Sequence, residues 1–378
     1  MSEWKKCPIG EVVTLRQGFA INAKSKHYMS KEETSLPLLR IADMKNGTKE
    51  VFVKEEIPQR FIAHPEDIIY TRTGNVGLVF RNNYGVMHNN CFSVTPNDAD
   101  ELSRDFLYYA LQNKTFFDTA NALARGAAQP DLPHTSFNSI EFAYPSLFVQ
   151  ERIAYILSRY DSLIENYQKQ IKLLEAAAQR LYKEWFIDLR FPGHENTNII
   201  DGVPEGWTPS QLGQLAEFKR GKTITKKDVI DGDIPVVAGG LEPAYYCNKS
   251  NTAERVITIS GSGANAGFTR MYFEKVWASD CSFVDASVTP FLHFVYCFLK
   301  NNKTTIDNLQ KGAAQPHVYA KDINSLSICI PIESVLKSFE EKVSNYFDTT
   351  ASLQSQLRLL TEARDRLLPK LTNEEMEI

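Results

Sequence analysis

The chain has 378 residues, a formal net charge of −4 at pH 7, and 43% hydrophobic and 23% charged residues. This is the composition of an ordinary globular chain long enough for two or three domains, and a net-negative protein does not coat nucleic acid by bulk attraction. No apolar run reaches the ~18–20 residues that span a bilayer, and the opening MSEWKKCPIG lacks the apolar segment of a secretion signal, so a cytoplasmic protein with no membrane association is expected.

Six scattered cysteines, Cys7, Cys91, Cys247, Cys281, Cys297 and Cys329, form no CxxC pair and have no His at ligand spacing. They read as free thiols in a reducing compartment, with no metal site expected. Acidic and basic residues are nearly balanced in every segment, so any nucleic-acid surface must be a local patch.

Taken in order, residues 4–10 read as a strand, and Leu15-Arg16-Gln17-Gly18 as a glycine turn leading into a polar loop with Lys24 and Lys26. A strand–loop–strand unit follows at 67–79, with Arg72, Thr73, Gly74, Asn75 and Gly77 in its loop. Residues 90–94 read as a buried strand, 106–113 have helical periodicity, and Arg125-Gly126-Ala127-Ala128-Gln129-Pro130 reads as a tight turn. Apolar residues then recur at alternating steps of four and three: Ile153, Leu157, Tyr160, Ile164, Tyr167, Ile171, Leu174, Ala178, Leu181 and Trp185. That is an a/d seam facing a partner helix, and at 1.5 Å per residue the segment 149–188 would run roughly 60 Å. The Pro-, Gly- and Asn-rich stretch 189–206 reads as a linker.

The remainder repeats this order. Gly126-Ala-Ala-Gln-Pro130 recurs verbatim as Gly312-Ala-Ala-Gln-Pro316, shifted by 186, with Lys311 in place of Arg125 and Gln315 in place of Gln129. The same shift carries the seam to Phe339, Val343, Tyr346, Thr350, Leu353, Leu357, Leu360, Arg364, Leu367 and Leu371, where only Thr350 and Arg364 break the apolar register. Upstream, 207–213 answers 4–10, and Phe218-Lys219-Arg220-Gly221 answers 15–18. The glycine loop recurs with Ser260, Ser262, Gly263, Asn265 and Gly267, and 280–284 answers 90–94. The expected partition is a domain at 1–148, a helix at 149–188, a linker at 189–206, a second domain at 207–333, a second helix at 334–372 and a tail at 373–378. The fold class is α+β, mixed in each domain, with the domain duplicated in tandem. About 150 residues between the helices leave the chain free to pair them antiparallel.

No enzyme signature is present: no GxxxxGK[ST], HExxH or GxSxG motif occurs. Residues 261–267 superficially resemble a dinucleotide loop but lie between two strands and lack the later acidic residue. None of the seven histidines recurs in the other half, so no catalytic residue is assigned. The loops are richer. Lys219, Arg220, Lys222, Lys226 and Lys227 place five cations within nine residues, and the matched loop carries Arg16, Gln17, Lys24 and Lys26. With Arg72, Thr73, Asn75, Ser260, Ser262 and Asn265, these side chains suit phosphates and base edges, though each also suits an ordinary solvated turn. A shared scaffold with changed tips favours recognition. The GAAQP turns, with Arg125, Gln129, Lys311 and Gln315, read equally as tight architecture or as a contact to phosphate or a subunit.

Together the duplicated Trp and Gly strand openings, glycine loops, GAAQP blocks, Pro145 and Pro331, and matched helical seams resemble the DNA-specificity subunit of type I restriction-modification systems, over essentially the whole chain. The resemblance implies two target recognition domains, each reading one half of a split site in double-stranded DNA, separated by helices paired as an antiparallel coiled coil. It implies a non-enzymatic subunit that recruits two methyltransferase subunits and the restriction-translocation subunits. No cofactor is expected on this chain, since S-adenosylmethionine would belong to the methyltransferase. The alternative is an adaptor whose paired helices assemble other proteins without DNA.

Overall fold

In a computed structural model, residues 4–312 and 316–373 are described, and Gln315 therefore lies outside the described residues. The chain divides into two compact units, Met1–Glu165 with Arg358–Ile378, and Asn166–Leu357. Both cuts fall inside long helices, Leu147–Tyr182 and Glu333–Thr372. This departs from the linear partition expected above, in which the helices stand apart from the domains. The physical reason is that each half-helix shares an apolar core with the globular part of its own unit.

In the first unit, an antiparallel sheet has the strand order Val13–Gln17, Cys91–Pro96, Ile68–Thr71, Val79–Phe80. Ile68–Thr71 is buried throughout, and its β-branched and aromatic run suits a strand covered on both faces. A second, mixed sheet pairs Leu36–Leu39 in parallel with Gly85–Met87. The strands Lys5–Pro8 and Glu141–Tyr144 pair antiparallel and bring the two ends of the globular part together. Tyr70, Phe92, Phe106 and Phe137 share one buried cluster with Ile153 and Leu157 of the first helix and Leu368 and Leu371 of the second.

The second unit repeats this plan. Its sheet runs Lys219–Arg220, Cys281–Asp285, Val256–Ser260, Thr269–Tyr272. Ile234–Val237 pairs in parallel with Trp277–Ala278, and Thr208–Gln211 pairs antiparallel with Ser327–Ile330. Here the core joins Ala178, Tyr182 and Trp185, at the end of the first helix, to Val335, Phe339 and Val343, at the start of the second. Start meets end in one unit and end meets start in the other, so the helices run antiparallel within each.

Every seam position is at least half-buried. Ile153, Leu157, Ile164, Ala178, Trp185, Phe339, Val343, Leu353 and Leu371 are buried, while Tyr160, Tyr167, Ile171, Leu174, Leu181, Tyr346, Leu357, Leu360 and Leu367 are half-buried. The two register breaks are satisfied locally. Thr350 is buried and donates its hydroxyl to the Tyr346 carbonyl at 2.8 Å, one turn back, and Arg364 bonds Asp161 of the first helix at 3.1 Å.

Two features depart from the sequence reading. The helix ends at Tyr182, and Lys183–Ile187 continues as a wider π turn. That turn lets Trp185 and Phe186 both face the core: Phe186 lies 4.8 Å from Phe294 and 5.0 Å from Phe339, ring centre to ring centre. The linker at 189–206 is partly built: Phe191 is buried against Trp207, and Ile199–Ile200 pairs with Val203–Pro204. Asp201 and Gly202 at that hairpin's tip have φ of 52° and 80°, the positive values a two-residue type I′ turn needs.

Candidate nucleic-acid interface

Three loops of each unit converge through the same backbone hydrogen bonds. In the first unit, Gly18 N–H donates to Cys91 O, Arg72 N–H to Asn90 O, Gly74 N–H to Pro130 O, and Leu132 N–H to Arg72 O. In the second, Gly221 donates to Cys281, Gly261 to Asp280, Gly263 to Pro316, and Val318 to Gly261. The residues flanking the two GAAQP blocks form reciprocal backbone pairs, Arg125–Asp131 at 2.8 Å and Lys311–His317 at 2.9 Å. The turn, the glycine loop and the first strand are therefore one assembly in both units. Glycine is required where strand and loop cross: a Cβ on Gly18 would lie 2.2 Å from His88 O, and one on Gly221 2.4 Å from Ser279 O. The matched Cys91 and Cys281 are buried beneath, and burial pushes both thiols up to about 12, leaving them unreactive packing groups.

Side chains sort into those held internally and those left free. Arg16 is fully engaged: it donates to Ser93 Oγ at 3.2 Å, to the Arg60 and Ile62 carbonyls at 2.7 and 2.8 Å, and to Asp67 at 2.7 Å. Gln17 donates to Asn89 O at 2.7 Å and accepts from Arg72 Nη1 at 3.1 Å. Arg72 grips Asp131 with two bonds, at 3.2 and 2.7 Å, and Thr73 donates its hydroxyl to the same carboxylate at 2.6 Å. Partial burial pushes the Asp131 carboxyl up, but the bonds from Arg72 and Thr73 outweigh it and leave it below its ordinary value. In the second unit Arg220 pairs with Asp280, which also accepts the Ser262 hydroxyl.

Several of the side chains singled out from sequence thus carry bonds within their own unit. Arg16 and Gln17 hold their own unit together through these bonds. Ser260 is buried, and its hydroxyl donates to Gly239 O at 3.0 Å. Asn265 leans on the same carbonyl at 3.4 Å, and Lys311 is paired with Asp322 at 2.9 Å. In contrast, Lys24, Lys26, Asn75, Arg125 and Gln129 in one unit, and Lys219, Lys222 and Lys226 in the other, are exposed. None of these lysines and arginines forms an ion pair among the described residues. The partners missed from sequence are the carboxylates Asp67, Asp131, Asp280 and Asp322. Asp280 carried the one available signal, an acid immediately before the duplicated cysteine.

Among the described residues, no group of His, Cys, Asp and Glu could hold a metal ion, and no helix is long and apolar enough to cross a membrane. The family model described as the type I restriction modification DNA specificity domain matches residues 1–176 and 204–360. The type I restriction enzyme MjaIX specificity subunit of Methanocaldococcus jannaschii is 28% identical over 311 residues, 76% of this chain and 72% of that one. The HindI specificity subunit of Haemophilus influenzae aligns over 100% of both chains at 21% identity. Among solved structures, the type I restriction-modification S subunit from M. genitalium is similar in fold, with a TM-score of 0.63 at 19% identity over 98% of this chain and 96% of that one.

Proposed function

Because the chain belongs to the type I restriction-modification DNA specificity family, whose specificity subunits are non-catalytic, we propose that its two units are target recognition domains, each reading one half of a bipartite, asymmetric site in the major groove. The observation that carries this reading is the duplicated three-loop assembly: one backbone scaffold with different polar side chains at its tips, as two readers of different half-sites require. Lys219, Lys222 and Lys226 in one unit, and Lys24, Lys26 and Arg125 in the other, supply the phosphate contacts. Asn75 lies within the same assembly, where an amide side chain suits an adenine edge, and Gln129, which recurs verbatim as Gln315, suits a shared contact to phosphate or a subunit. The local clusters of free cations reconcile DNA binding with a net charge of −4.

In this reading the paired helices recruit two methyltransferase subunits and, for cleavage, the restriction-translocation subunits. S-adenosylmethionine is held by the methyltransferase. Sequencing the methylome of cells co-expressing the chain with its methyltransferase subunit tests the reading directly. A motif of two specified blocks around a fixed unspecified spacer is expected. A single contiguous motif refutes the two-reader reading, and no motif from an assembled complex favours the adaptor alternative.

A further inference from the structure

Each unit carries a guanidinium–carboxylate pair tied to a glycine-loop hydroxyl where the loops converge, yet the members of the two pairs occupy non-equivalent positions. The shared backbone bonds define the matches: Gln17 with Arg220, Arg72 with Gly261, Thr73 with Ser262, Asn90 with Asp280, and Asp131 with His317. In the first unit the guanidinium comes from the glycine loop and the carboxylate from the turn after GAAQP. In the second the guanidinium comes from the first strand and the carboxylate from the residue before Cys281. The two arginines fill related space. A Cβ on Gly261 would stand 2.7 Å from Arg220 Nη1, so the small residue at the Arg72 position leaves room for an arginine reaching in from the strand. In both units the carboxylate also accepts the hydroxyl of the matched loop residue, Thr73 or Ser262.

Since the surrounding backbone bonds are alike in both units, the scaffold itself does not dictate the exchange. What the exchange alters is the outward member of the pair. In the first unit the carboxylate is the more exposed, with Asp131 at 39% against 21% for Arg72. In the second the guanidinium is, with Arg220 at 46% against 33% for Asp280. Arg220 gives one Nη2 hydrogen to its partner and forms no other hydrogen bond among the described residues, so the second Nη2 hydrogen, with Nε or Nη1, leaves one two-donor edge for another acceptor.

Building on the two-reader reading, we infer that this pair is a specificity-determining element with opposite polarity in the two units. Asp131 presents a hydrogen-bond acceptor suited to the exocyclic amino group of cytosine or adenine. Arg220 presents a donor fork suited to O6 and N7 of guanine. Arg72 and Asp280 are positioning residues that hold the outward member, and Thr73 and Ser262 tie it to the glycine loop.

The test is the methylome of the complex carrying Arg220→Lys, and separately Asp131→Asn. Arg220→Lys keeps the charge but loses the fork, so it should relax one position by roughly tenfold, that position being a G·C pair in the wild-type motif, and leave the other half-site intact. Asp131→Asn should relax one position of the other half-site only. A merely structural role would lower methylation of the unchanged motif uniformly. Thermal melting of the complex shows whether each variant is folded. Ser262→Ala, which removes one hydroxyl behind the same pair, serves if Arg220→Lys is not, and a smaller relaxation at the same position is expected. A wild-type complex without a split motif would sink the two-reader reading. A split motif left unaltered by the folded variants, or relaxed at an A·T pair by Arg220→Lys, would overturn the inference alone.

Discussion

Arg16 and Lys222 are both cations within two residues of a close-contact glycine, and the sequence gives no means of separating them. The difference lies in partners distant along the chain. Arg16 meets Asp67 and two carbonyls across the sheet, whereas the Lys222 side chain forms no ion pair among the described residues. Substitution of each should therefore fail differently. Arg16→Ala strands a half-buried carboxylate and two carbonyls and should cost about 2 kcal/mol or more in a urea melt. Combined alanine substitution of Lys219, Lys222 and Lys226 should leave stability within about 0.5 kcal/mol per site. It should weaken DNA binding across sequences and reduce the slope of log K against log salt by roughly 0.9 per lost phosphate contact. An unchanged slope in anisotropy titrations removes these lysines from the interface. The Asp131 carboxyl, held low by Arg72 and Thr73 against the effect of burial, sets a pH dependence. A depressed folded value means the stabilisation is complete above the unfolded value of about 3.9 and is lost as pH falls through the lower folded one. The stability gap between wild type and Asp131→Asn should thus be widest above about pH 4 and close below it; a gap that widens in acid contradicts the clamp.

The helices were the most legible elements, because a seam at alternating steps of four and three admits few other readings, and a second copy at a fixed shift supplied its partner. Thr350 and Arg364, which break the pattern in sequence, do not break it in space: one bonds its own helix and the other bonds Asp161. The π turn at Lys183–Ile187 left no trace in the pattern, since widening one turn alters which side chains face inward without altering composition. Its consequence is a crowded aromatic contact in which Tyr182, Trp185, Phe186 and Phe294 all meet Phe339. Phe339→Ala should accordingly destabilise the protein by about 3–5 kcal/mol, whereas Leu359→Ala, at a side chain 58% exposed on the same helix, should stay within about 0.5 kcal/mol. Chemical denaturation of the two variants side by side is the measurement, and equal losses would mean the seam has been assigned to the wrong face.

For the whole molecule, duplication was the signal that made function readable. One copy of a glycine loop or a GAAQP turn is an ordinary turn, whereas two copies in the same order, joined by the same backbone bonds and with different side chains on the glycine loops, describe a repeated device with two settings. The sequence could not show that the compact units cut across the helices, because that depends on which apolar residues share a core. If each unit reads one half-site, the unspecified spacer between the halves should follow helix length. Inserting seven residues into each helix, between Glu165 and Asn166 and between Leu357 and Arg358, keeps the a/d register and adds ~10.5 Å of rise. At ~3.4 Å per base pair that amounts to about three further unspecified positions. The specified blocks should be unchanged, because the loop assemblies lie entirely within the units. Methylome sequencing of the insertion variant reads both quantities at once. A lengthened spacer between unaltered blocks makes the helices the ruler. An unaltered spacer rejects that role, and altered blocks would mean that the readers are not independent of the helices that carry them.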